Sequence, residues 1–78
     1  MNYSELVAYM VKSLVDHPEQ VEIREIEGEK STILELKVTK DDIGKVIGKH
    51  GRIARAIRTI INASATKTGK RVVLEILD

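Results

Sequence analysis

From Asn2 to Val15 the apolar positions recur at steps of three and four. Leu6, Met10 and Leu14 form one row and Val7, Val11 and Val15 the row beside it, which is the stripe of an amphipathic helix. Asn2, with Glu5 three positions later, supplies a cap for its start. Pro18 disfavours helical geometry at His17 and closes it. The period then changes to two. VEIREIE and STILELKVT, separated by Gly28, Glu29 and Lys30, predict a hairpin. Leu34, Leu36 and Val38 alternate with polar positions in the second run, whereas in the first the apolar phase slips between Ile23 and Ile26, the mark of a bulge or an edge strand.

At Lys40 the helical period returns. Ile43, Val46 and Ile47 share one side of a short helix, and Asp41 and Asp42 fall in its first turn, where they suit the dipole. A longer helix follows over RIARAIRTIINASATKTG. Ile53, Ile57, Ile60 and Ser64 lie along one face of it and Arg52, Arg55 and Thr59 along another, with Gly69 as its stop. In the closing RVVLEILD, Val72, Leu74 and Ile76 alternate with Val73, Glu75 and Leu77, so this strand is covered on one face and partly on the other. The order is helix, strand, strand, short helix, long helix, strand: an α+β fold with its helices gathered on one face of the sheet, and one domain over residues 1–78.

Composition narrows what holds such a fold together. With 78 residues and no cysteine, the chain has little core to spare and no disulfide or structural metal to reinforce it. No apolar stretch approaches the roughly 20 residues that span a bilayer, and no secretory pattern opens the chain, so a cytoplasmic protein without membrane insertion is expected. The net charge of +1 conceals a segregation. Residues 1–39 carry −4, residues 40–71 carry +7 from nine basic residues against Asp41 and Asp42, and the tail carries −2. Positive charge thus gathers around VIGKHGRI, an arrangement suited to an anionic partner.

Within that stretch, Gly48 and Gly51 stand three apart with Lys49 and His50 between them and Arg52 after. A helix-to-helix turn accounts for one glycine. The second sits at the start of the long helix, where Ser, Thr, Asp or Asn is usual. A bare backbone there lets another molecule approach closely, and amides at a helix start attract phosphate. Other phosphate motifs do not fit. A Walker A loop needs Ser or Thr where His50 stands and glycine where Ile43 stands, and a dinucleotide fingerprint needs glycine in place of Val46.

The loop and its apolar flanking helices, with two strands before and one after, resemble the KH domain of RNA-binding proteins, which clamps about four single-stranded nucleotides with a GxxG loop. The element order resembles the type II arrangement of prokaryotic members, and KVIGKHGRIARAIRTII with GKRVVLEIL is similar to the small bacterial stand-alone KH proteins. The resemblance implies the order α-β-β-α-α-β and a three-stranded mixed sheet under three helices. It also implies that RNA is held by Ile47, Gly48, Lys49, His50, Gly51, Arg52, Ile53 and Arg55. The groove floor is expected to include Ile43, Ile47, Ile53, Ala54 and Ile57, and Arg58 to do no more than solvate the long helix. An RNA chaperone or post-transcriptional regulator follows from that resemblance, as do a homodimer or a heterodimer with a larger KH-domain protein and a part in cell shape.

With no Phe or Trp, and with both tyrosines in the first helix, no aromatic platform for bases exists, so recognition is expected to be of low specificity. Single-stranded DNA stays open beside RNA. A protein-interaction module is the alternative: Ile60 and Ile61 cannot face the same way, and Ile61, with Ala65 a turn later, is expected to form a dimer interface. No small-molecule substrate, cofactor, metal or catalysis is expected, since the two histidines stand far apart and no activated nucleophile accompanies the acids.

Overall fold

The computed structural model describes residues 2–77. Helix α1 spans Tyr3–Lys12, and the Asn2 side chain accepts a hydrogen bond from the Glu5 amide at its start. It ends earlier than Pro18 requires. Ser13 Oγ donates to the Tyr9 carbonyl at 2.7 Å, an alternative partner for the last turn, and the chain reaches a 3-10 turn at Pro18–Gln20.

Strands β1 (Glu22–Glu27) and β2 (Ser31–Lys37) form the hairpin. Pairing is antiparallel and one-to-one from Glu22 opposite Lys37 to Glu27 opposite Thr32, so the slipped apolar phase marks an edge strand, not a bulge. Ile23 lies opposite Leu36 on the helix-covered face, and Ile26 lies opposite Ile33 on the open one. β3 (Arg71–Ile76) pairs parallel with β2, giving the sheet order β1-β2-β3.

Between β2 and β3 run a 3-10 turn at Lys40–Asp42, helix α2 (Ile43–Ile47), the glycine loop, and helix α3 (Arg52–Thr66). Every second residue of β2, Thr32, Leu34 and Leu36, is buried against the helices, the period-two pattern that one covered face demands. The core joins these to Val7 and Val11 of α1, Val46 of α2, Ile57, Ile61 and Ala65 of α3, and Val72 and Leu74 of β3. This is a three-stranded mixed sheet with three helices on one face, the α+β type II KH architecture.

The buried face of α3 differs from the expected one. Ala54, Ile57, Ile61 and Ala65 point inward, whereas Ile60 is 46 % exposed. Ile61 and Ala65 retain only 1 % and 2 % of their surface. They belong to the chain's own core and offer a partner no surface, so the dimer contact expected at these residues is not there.

Candidate nucleic-acid interface

The glycine loop owes its shape to three departures from ordinary backbone within four residues. Gly48 lies at φ 77°, ψ 173°, a region essentially closed to residues with a Cβ. A Cβ there would also come within 2.6 Å of Ile53 Cγ1. His50 (φ 58°, ψ 23°) and Gly51 (φ 72°, ψ 15°) are left-handed. Around Gly51 nothing lies within 4 Å of an added Cβ, so that side of the loop is open.

The loop pins itself with three main-chain bonds: the Gly48 amide donates to Gly44 O at 2.8 Å, the Gly51 amide to Gly48 O at 3.1 Å, and the Arg52 amide to Lys49 O. Gly51 is the N-cap of α3 and provides no side-chain acceptor. The first turn of a 15-residue helix therefore has no side-chain cap, and the positive end of its dipole lies at the loop.

Charge reinforces this end. Lys49, His50, Arg52 and Arg55 are exposed, and among the described residues no carboxylate pairs with any of them: the ion pairs join Lys45, Lys70, Arg24 and His17 to acids elsewhere. Beside the loop, Ile47, Gly51, Ala54, Arg55, Arg58 and Ile76 line a groove between α2, α3 and β3. Its floor is apolar, and Ile47 keeps 36 % of its surface exposed.

The expected site residues fall into three places. Ile47, Gly51, Ala54 and Arg55 meet at the groove, and Lys49, His50 and Arg52 ring its loop end. Ile53 lies behind Gly48, where it fixes the loop from within, and Ile57 is core. Ile43 packs half-buried against the core. Arg58 and Ile76, absent from the expected set, complete the groove. Arg58 was legible in principle, four residues after Ala54 on the same helix face.

One further residue positions the site from below. Asp42 is fully buried, and its two carboxylate oxygens accept from the Asp16 amide at 3.1 Å and the His17 amide at 2.9 Å. Burial, the largest single influence, would raise its pKa, but the two amides, together with Thr39 and the charge of His17, outweigh it and hold the carboxyl below its ordinary 3.8. Lys45, 3.0 Å from Asp16, completes the clasp, and that contact raises its own pKa. The segment leaving α1 is thus tied to the start of α2, which carries Gly48 at its other end. Asp42 stands at the start of α2, where it suits the dipole as expected, and the buried clasp adds a second role. Its spacing of four from the buried Val46 was the available signal.

Comparison with known proteins agrees with this geometry. The sequence model described as KhpA/KhpB, KH domain matches residues 4–76. A Borreliella burgdorferi protein named RNA-binding protein KhpA is 61 % identical over 77 residues, 99 % of this chain and 94 % of that one. Its namesake in Clostridium perfringens is 60 % identical over 94 % of this chain and 97 % of its own length. Among solved structures, Aquifex aeolicus Era bound to GDP.AlF4− superposes with a TM-score of 0.64 at 20 % identity, over 95 % of this chain and 29 % of that one. Era in complex with MgGDPNP and nucleotides 1506–1542 of 16S ribosomal RNA gives 0.65 at 20 % identity, over 95 % and 28 %. These two are likenesses of fold.

Proposed function

The chain belongs to the KhpA/KhpB KH-domain family, and from that premise we propose that it binds single-stranded RNA, with the sugar-phosphate thread on the Gly48–Gly51 loop and bases in the adjoining groove. The observation that carries this reading is the start of α3, opened by glycine, without a side-chain cap and ringed by cations that pair with no acid among the described residues. Main-chain amides and a helix dipole attract phosphate without regard to sequence, and Lys49, Arg52 and Arg55 add charge. The apolar floor shelters bases but has no ring to stack them, so recognition along the strand is loose. The protein is a binding protein and not an enzyme, with a chaperone or post-transcriptional role in the cytoplasm. Pairing with a second copy or with a larger KH-domain protein would use a surface other than Ile61 and Ala65.

Replacing both Lys49 and His50 by aspartate tests the loop. Both side chains are exposed, so the variant keeps its fold while opposing phosphate. The expected result is loss of oligoribonucleotide binding with an unchanged melting curve, and with no perturbation of the residue 48–53 amides in an NMR titration that moves them in the parent. Undiminished affinity in the folded variant would remove RNA from the loop and leave assembly as the protein's business.

A further inference from the structure

Arg58 stands where α3 meets the free edge of β3, and its guanidinium is only partly engaged. Nε and Nη2 both donate to the Leu74 carbonyl oxygen at 3.3 Å. That carbonyl points away from the sheet. The Arg71 and Leu77 amides donate inward, to Lys30 O and Leu36 O of the neighbouring chain segment, so by alternation the main-chain groups of Val72, Leu74 and Ile76 face outward. Arg58 therefore covers an acceptor on the edge that borders the groove, and it lines that groove together with Ile47, Ala54 and Ile76. What is left is a fork. The two protons of Nη1 and the second proton of Nη2 have no partner among the described residues, nor does any carboxylate pair with Arg58. A guanidinium holds such donors in one plane, spaced for two adjacent acceptors.

We propose that Arg58 is the base-selecting residue of this groove, favouring guanine or cytosine over adenine or uracil at the nucleotide seated over Ile47, Ala54 and Ile76. The proposal rests on RNA occupying the groove as argued above. Guanine offers O6 and N7 side by side, and cytosine offers N3 and O2. Beside each of adenine's N1 and N7 lies the amino group, and between the two keto oxygens of uracil lies N3–H, so the fork meets a donor with one of its arms. The Leu74 carbonyl, already held by Arg58, is not free to accept from an amino group at this point. Loose recognition along the strand and a preference at one base are compatible, since the phosphate contacts are shared by every sequence.

The test uses the full chain and four octaribonucleotides: uniform uridine, and the same strand with one central guanosine, cytidine or adenosine. The guanosine and cytidine strands are expected to bind roughly tenfold more tightly than the uridine and adenosine strands. Arg58→Lys keeps the charge but not the fork; it should level the four affinities toward that of the uridine strand and leave the salt dependence as it was. Arg58→Gln, which keeps donors without charge, should level them too, and melting curves of both variants check the fold. A preference that survives Arg58→Lys overturns the proposal. So does equal weakening on all four strands by Arg58→Gln with a shallower salt dependence, which would make Arg58 a phosphate contact. If no octamer binds the parent chain, the RNA reading itself falls and this one with it.

Discussion

At the scale of single residues the loop's two glycines are not equivalent, and the difference is measurable. Gly48 is needed twice over, for a backbone region closed to other residues and for the Ile53 side chain against its Cα. Gly51 is needed only for a left-handed φ of 72° in open space. Alanine at 48 combines backbone strain of about 1–3 kcal/mol with overpacking of about 1–3 kcal/mol. Alanine at 51 carries only a left-handed penalty, about 1–2 kcal/mol. Urea unfolding should rank Gly48→Ala well below Gly51→Ala in stability, and equal midpoints would contradict the packing of Ile53 under the loop. The pattern GKHG with its basic neighbours was plain in the chain as a string. Which glycine packs and which merely turns was not, because that depends on Ile53, five residues after Gly48, folding back on it. Nor does anything in the string announce that His50 is left-handed as well.

Elements came through the sequence more clearly than their orientation. The helical and strand periods located all three helices and all three strands, since each buries one face and its spacing records the fact. The roll of α3 was harder to read. A row through Ile53, Ile57, Ile60 and Ser64 and a row through Ala54, Ile57, Ile61 and Ala65 share Ile57 and differ by one residue at the other three positions, and both contain further isoleucines. The fold chooses the second, burying Ala54 and Ala65 and leaving Ile60 outside. The second role of Asp42 was hidden for a related reason, because a carboxylate in a first helical turn ordinarily faces water and this one is enclosed. Its role carries a pH dependence. The folded carboxyl titrates below its ordinary 3.8, so its stabilisation is complete above that pH and is lost as the pH falls through the folded pKa. Asp42→Asn should therefore melt lower than the parent at pH 7, with the gap narrowing as the pH drops below about 3.8. A gap constant from pH 7 to pH 2 would mean that the ionised form is not what holds the Asp16 and His17 amides.

For the molecule as a whole, charge segregation and topology meet in one place. Read along the chain, residues 40–71 carry +7 and residues 1–39 carry −4. The fold turns that linear asymmetry into a spatial one, because the acidic edge strand β1 and the basic α3–β3 seam lie on opposite sides of β2. The sequence displays the sum, while the parallel return of β3 beside β2 decides that the basic segment borders a groove. Arrival of RNA at that side should be favoured at low ionic strength and screened by salt. If Lys49, Arg52 and Arg55 each neutralise one phosphate, three contacts at about 0.7 each give a slope of log affinity against log salt near −2 for a single strand. Replacing both Lys49 and His50 by aspartate should flatten whatever binding survives, since it removes one of the three cations and adds opposing charge. The slope, taken between about 50 and 200 mM salt, separates the two accounts of the glycine loop. A value near zero would leave Gly48 and Gly51 as turn residues alone, whereas one near −2 that falls in magnitude with the loop variant ties the cations around α3 to phosphate.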